Sequence, residues 1–178
     1  TTTFDEYSNW NDAFPSGLEA VLQTYPRPDR VEEASVLTEE LAQTVRESVL
    51  QNMVQPALDN PHIQFYYFFT PYSILHMDRQ DRQGILERQF QLYALTSSLL
   101  VDVENIRLYS FFDAHEIVTD LDNYRDVSHY SEDINSLILE KMAADEHRLT
   151  KENYLEYWAR EEAYYSSYPY DMYFEEVD

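Results

Sequence analysis

Asp126-Val127-Ser128-His129 is the stretch whose residue types and spacing best suit chemistry. A carboxylate three residues before an imidazole can curl back and accept the proton of one ring nitrogen. That bond selects the tautomer and leaves the other nitrogen free as a base. Such a ring takes the proton of an attacking hydroxyl and later returns it to a leaving group. The same D-x-x-H spacing also suits a solvated loop histidine, and Ser128 inside it reads as a hydrogen-bonder of the loop.

Other candidates are fewer. Ser73, in Thr70-Pro71-Tyr72-Ser73, follows a predicted strand. Pro71 and Tyr72 stand where a nucleophile elbow needs small residues, so Tyr72 and Ser73 read as substrate-binding residues of a pocket rather than as a nucleophile and its neighbour. Asp120, Asp122, Asn123 and Asp126 suggest a calcium loop, but Tyr124, Arg125 in the glycine position and Ser131 at the last ligand position break the pattern. The histidines, at 62, 76, 115, 129 and 147, are scattered, without a zinc-binding helix. His115 and His147 read as solvated. No metal and no cofactor are expected. Gly17 and Gly84 are the only glycines, which excludes a glycine-rich phosphate loop, and the absence of cysteine excludes disulfides and thiolate chemistry.

These residues need elements to position them. Thr38 can cap a helix with Glu39 and Glu40 in its first turn, and Leu41, Val45, Val49 and Met53 recur on one face until Asn60-Pro61. His62 to Phe69 is a continuous aromatic run of strand length, as in a strand buried on both faces. A second helix is predicted over 84–101 and a second strand over 104–112, followed by a short helical turn. Ser131 and Thr150 can each cap a further helix. Strands separated by long helices imply βαβ units and a parallel sheet. The sites of such sheets lie beyond the carboxyl ends of the strands, where the 70–73 and 120–131 loops fall.

Asn123-Tyr124-Arg125-Asp126-Val127-Ser128-His129-Tyr130-Ser131, together with Phe69-Thr70-Pro71-Tyr72-Ser73, resembles the SGNH hydrolase and acyltransferase superfamily. The string is similar to a group of SGNH-like proteins of Gram-positive gut bacteria. More remotely it resembles the D-alanyl-transfer protein of lipoteichoic acid synthesis and the alginate O-acetyltransferases. In that superfamily Asp and His stand together as D-x-x-H near the domain's C-terminal end. The nucleophilic serine stands near its N-terminus in a G-D-S-like turn, and oxyanion donors come from a Gly and from the Asn of a G-x-N-D-like block. Neither block is present here, and Gly17 runs into a predicted helix with no strand before it.

The resemblance therefore implies the C-terminal part of an SGNH-like α/β domain, a three-layer sandwich with a parallel, flavodoxin-like sheet, incomplete on its N-terminal side. It implies Asp126 and His129 as the acid–base pair, with the nucleophilic serine upstream of this chain, which alone would be inactive. The function implied is hydrolysis or transfer of an O-linked acyl group on a cell-envelope or extracellular glycan. An acylated glycan is then the partner, and an extracytoplasmic or envelope-anchored location follows, through a segment before the Thr1-Thr2-Thr3 start. The alternative is a non-catalytic glycan- or protein-binding module using the same cleft and the rings of an acidic Tyr-rich tail over 163–178, beyond the domain at 1–162. Those rings, Tyr164, Tyr165, Tyr168, Tyr170 and Tyr173, equally suit packing back on the domain.

Composition narrows the partners. The chain has 178 residues, 44% of them hydrophobic, with 16 Tyr, 9 Phe and 2 Trp, enough for one cored domain. A net charge of -22 argues against nucleic acid and anionic membrane, both of which need Lys and Arg. Its simplest use is solubility. If upstream strands are absent, the 65–69 run borders an open sheet edge, to be covered by more chain or by self-association.

Overall fold

The computed structural model of the protein describes residues 15–174. The Thr1-Thr2-Thr3 start and the last four residues of the acidic tail lie outside them.

The N-terminal elements are helical. A short helix, α1, spans Leu18–Thr24. The second, α2, spans Glu39–Val49, with the Thr38 hydroxyl accepting the Leu41 N–H at 3.2 Å and two glutamates in the first turn. This is the predicted cap. A π-helical turn over Leu50–Val54 then leads into α3, Gln55–Asp59. Its extra residue rotates the apolar face, so Val49 is followed inward by Val54, five residues on, while Met53 is only partly buried. Asn60 ends the helix because the residue before a proline disfavours helical backbone.

Three strands follow: β1 Phe65–Phe69, β2 Ile106–Ser110 and β3 Arg148–Leu149, in the order β1-β2-β3. Between β1 and β2 run α4, Ile74–Arg82, and α5, Leu86–Leu100. Between β2 and β3 run the short α6, His115–Val118, and α7, Glu132–Ala143. The last helix, α8, spans Tyr154–Ser166. The molecule is a helix-rich α/β structure.

β1 and β2 pair in parallel, Phe65 opposite Ile106 and Phe69 opposite Ser110. β3 is antiparallel to β2, so the expected parallel sheet is confined to one strand pair. The reversal follows from the turn after α7. Asp145 and His147 both adopt left-handed backbone (φ 58), and the His147 carbonyl accepts the Ser110 N–H at 3.0 Å, aligning β3 back along β2.

Alternation along β2 divides the core. Ile106 and Leu108 point into the larger cluster, built with Leu86, Phe90 and Leu100 of α5 and Tyr157, Trp158 and Tyr165 of α8. Tyr109 and Phe111 point to the other side, against Ile134, Ile138 and Met142 of α7. Helices thus lie on both faces of the sheet. In the larger cluster Trp158 meets Phe69 edge-on at 4.9 Å and donates its indole N–H to Ser97 at 2.8 Å.

β1 departs from the expectation of a strand buried on both faces. Phe65, Tyr67 and Phe69 pack inward, while Tyr66 and Phe68 are 49% and 42% exposed. Among the described residues nothing pairs with its outer edge. Large rings at an edge can lean on the neighbouring strand, as Tyr66 does on Tyr109 and Phe68 on Phe111, so a continuous aromatic run does not require burial on both sides.

Two predicted caps act differently from the expectation. Ser131 makes no capping side-chain bond to α7, and Thr150 lies in the turn before α8, which starts at Tyr154. The compositional shift at Ala163 falls inside α8. Beyond it, Tyr165 and Tyr170 are buried, and their hydroxyls donate to the Phe112 and Tyr165 carbonyls at 2.6 and 2.7 Å. The Tyr173 hydroxyl donates to the Thr119 carbonyl at 2.8 Å. This part of the aromatic tail packs on the domain.

Candidate functional site

The loop after α6 is anchored to the carboxyl end of β1 at three points. Tyr124 is buried, and its hydroxyl donates to the Pro71 carbonyl at 2.7 Å. The Ser73 hydroxyl donates to the Val127 carbonyl at 2.8 Å. The Thr70 hydroxyl donates to the Tyr130 phenol oxygen at 3.0 Å. The loop closes on itself through an antiparallel bridge between Tyr124 and Tyr130, with the Arg125 N–H donating to the His129 carbonyl at 2.8 Å. Asp126 to His129 form the tip of this pinned loop.

At the tip the predicted pair is formed. His129 Nδ1 lies 2.7 Å from Asp126 Oδ2, while Asp126 Oδ1 accepts the backbone N–H groups of Ser128 and His129 at 2.7 and 3.0 Å. Partial burial pushes the Asp126 carboxyl toward protonation. The bonds from the His129 ring and from the two backbone N–H groups outweigh this and hold it below the usual carboxylate range. An ionised Asp126 fixes the proton on His129 Nδ1 and leaves Nε2 as the free base. The ring is 77% exposed.

The pair borders a cleft of about 840 Å³, whose other walls are Ala20, Gln23 and Thr24 of α1, Arg79 of α4, and Glu132 and Asn135 of α7. Tyr72 and Ser73 do not line it. Ser73 is wholly buried with its hydroxyl committed to Val127, and Tyr72 stacks on His76 at 4.2 Å. The structure gives Ser73 the role of anchoring the loop.

Two residues at this site carry no motif in the sequence. His76, on α4, places Nδ1 3.4 Å from the Ser128 hydroxyl. Burial, reinforced by the positive charge of Arg79, pushes its pKa down to about 4, so the ring is neutral at neutral pH. Arg79 has no carboxylate partner among the described residues, and its guanidinium lies over the Tyr25 ring at 5.3 Å. In a chain of net charge -22, Arg79 thus puts a positive charge on the cleft wall that no carboxylate takes up among the described residues. The signal for both was the i, i+3 spacing of His76 and Arg79 on a helix that follows β1, a helix sequence reasoning did not outline.

Two of the remaining histidines, His115 and His147, pair elsewhere. His147 Nδ1 lies 2.8 Å from Asp113, and His115 Nε2 lies 2.7 Å from the buried Glu161. His115 and His147 are therefore each held by a carboxylate rather than simply solvated. In the acidic loop whose sequence breaks the calcium pattern, Asp122 accepts the Leu18 N–H and Asp120 the Asp122 N–H, at 3.2 and 3.1 Å. Among the described residues no group of three or more carboxylates or histidines is arranged to hold a metal ion, and no helix is long and apolar enough to cross a membrane.

Fold and site together define an α/β protein with an Asp-His pair on a loop at the carboxyl end of its parallel strand pair. No family model, curated protein or solved structure matches the chain.

Proposed function

We propose that this protein hydrolyses or transfers an O-linked acyl group, with an acylated glycan as the substrate class and Asp126 and His129 as its acid–base pair. The observation that carries this reading is the 2.7 Å bond between Asp126 and His129 Nδ1 at the edge of an open cleft. It leaves Nε2 exposed to move a proton between an attacking hydroxyl and a leaving sugar oxygen. The loop's attachment to the end of β1 through Ser73 and Val127 puts the pair where open α/β sheets carry their sites. The same placement supports the resemblance to the SGNH superfamily, and with it an envelope or extracellular setting.

The test is release of acetate from an O-acetylated polysaccharide, and hydrolysis of p-nitrophenyl acetate, by the protein and by His129→Ala. Loss of turnover by roughly 10²-fold or more is expected. Turnover indifferent to His129→Ala would overturn the assignment.

A second reading, a module that binds protein without catalysis, is favoured by one observation: the exposed Tyr66 and Phe68 on an unpaired edge strand. A protein that turns over no ester yet loses a bound partner on Tyr66→Ser would support it.

A further inference from the structure

The outer edge of β1 presents backbone groups to solvent in a fixed pattern. The Phe65 N–H donates to the Asn105 carbonyl at 2.8 Å, and the Phe69 carbonyl accepts the Phe111 N–H at 3.1 Å. Phe65, Tyr67 and Phe69 therefore turn their backbone groups toward β2. Tyr66 and Phe68, which alternate with them, turn theirs outward. Among the described residues neither the N–H nor the carbonyl of Tyr66 or Phe68 has a hydrogen-bond partner. The rings of the same two residues are half-exposed. On this face α7 packs on Tyr109 and Phe111 of β2, and Tyr66 and Phe68 lie outside that cluster.

Edge strands are ordinarily protected by a charged side chain, a proline or a bulge. β1 has none of these. Its register with β2 is unbroken, and residues 60–77 contain no Asp, Glu, Lys or Arg. This is the longest uncharged stretch in a chain with 34 acidic and 12 basic residues. Two copies of net charge -22 repel one another, least so where carboxylates are absent. A basic partner, which that charge would attract, finds no carboxylate in the segment that forms this edge.

We propose that β1 pairs with β1 of a second copy of this chain, antiparallel about a two-fold axis at Tyr67. The outward groups set this register. Tyr66 lies opposite Phe68 of the second copy, and the two exchange N–H···O bonds in both directions. The axis repeats the pair, so all the free backbone groups of Tyr66 and Phe68 are satisfied in both copies. The strand also suits itself in side chains. Tyr66 meets Phe68, Phe65 meets Phe69 and Tyr67 meets Tyr67, so each ring faces a ring across the axis.

The pairing does not depend on the acyl-transfer reading and explains a feature that it leaves unused. A continuous aromatic run suits a strand inside a sheet. Pairing puts β1 there, at the middle of one sheet shared by two copies, and covers the rings of Tyr66 and Phe68. Antiparallel strands carry their carboxyl ends in opposite directions. The two D-x-x-H loops, each tied to the end of β1 through Ser73, therefore lie at opposite ends of the shared sheet.

The experiment uses the 178-residue chain. Sedimentation equilibrium from roughly 1 μM to 1 mM should show a species of twice the 21.2 kDa chain mass that grows with concentration. Added salt, which screens the carboxylates, should tighten it. Amide hydrogen exchange, read residue by residue, should find the Tyr66 and Phe68 N–H groups slowed by roughly 10-fold or more in the dimer relative to the dilute chain. The Tyr67 N–H, turned toward β2, should be slow in both. Phe68→Glu sets a carboxylate on the joined edge and should weaken association by roughly 10-fold or more. Slow exchange at Tyr67 in that variant shows its sheet intact, and if it fails to fold, dilution of the unsubstituted chain gives the same comparison. A chain that stays monomeric over the whole range would overturn the proposal. So would a dimer in which Tyr66 and Phe68 exchange freely, or that Phe68→Glu leaves intact, or that salt dissociates, since another surface would then hold it. Slow exchange at Tyr66 and Phe68 in the dilute monomer would overturn it too, because the chain itself would then cover the edge.

Discussion

The Ser73 hydroxyl donates to the Val127 carbonyl at 2.8 Å, and the Ser73 N–H reaches the same oxygen at 3.3 Å. The residue that follows β1 thus holds the middle of the D-x-x-H loop. Ser73→Ala removes the stronger of the two bonds and leaves the N–H in place. Stability should fall by about 0.5–1.5 kcal/mol in urea titrations, with lower ester turnover from a looser loop. Unchanged midpoint and unchanged turnover would show that the loop is held by other bonds.

Asp126→Asn keeps the size of the side chain but no longer dictates which nitrogen of His129 carries the proton. A loss of roughly 10²–10⁴-fold in kcat is expected with little change in the denaturation midpoint. Nitrogen-15 NMR of the ring should show mixed tautomers in place of one. A ring that keeps its single tautomer in the variant would mean that Asp126 does not set it.

The half-buried His76 makes stability depend on acid. Its pKa in the fold is about 4, below the ordinary histidine value, so the unfolded chain binds more protons between the two. Stability should therefore fall as pH drops from about 6.5 toward 4, by at most roughly 1.4 kcal/mol per pH unit from this group. His147 has the opposite sign. Its bond to Asp113 raises its pKa, so it contributes stability below the ordinary histidine value that is lost as pH rises through the raised one. Urea midpoints measured from pH 7 to 4 should slope less in His76→Gln and more in His147→Gln. Parallel slopes for all three proteins would contradict both assignments.

Gly84 closes the turn between α4 and α5 with φ 65, where a side chain is strained. A methyl group there would stand 2.9 Å from the Glu33 carbonyl oxygen and 2.7 Å from a Val31 methyl. Val31 can rotate away, but the backbone oxygen cannot. Gly84→Ala should destabilise by more than about 1 kcal/mol. A thermal midpoint equal to that of the parent would show that the 31–35 segment moves freely off this turn.

Trp158 joins α8 to α5 and to the end of β1. Trp158→Ala should cost about 3–5 kcal/mol through the cavity and the lost bond to Ser97. A loss under about 1 kcal/mol would mean that the aromatic cluster closes over the gap.

The sequence by itself determined those features that depend on near neighbours. Thr38 caps α2 because its hydroxyl reaches an N–H three residues on, and Asp126 meets His129 because a short loop can bring i and i+3 together. The helix over 86–100 and the strand inside 104–112 follow from apolar periodicity, which also records which face is buried. Tertiary structure decided what distant residues share. The direction of β3 depends on left-handed backbone at Asp145 and His147, a state that non-glycine residue types do not announce. The half-exposure of β1 depends on its place at the sheet edge, which an aromatic run cannot reveal. Ser73 reads as pocket-lining until the Val127 carbonyl, 54 residues away, claims its hydroxyl. His76 reads as an unremarkable helix residue until the fold sets Ser128 against its ring across 52 positions. Local bonds are encoded by spacing along the chain. The approach of two such segments is set by how helices and strands pack, and no short window of residues contains that information.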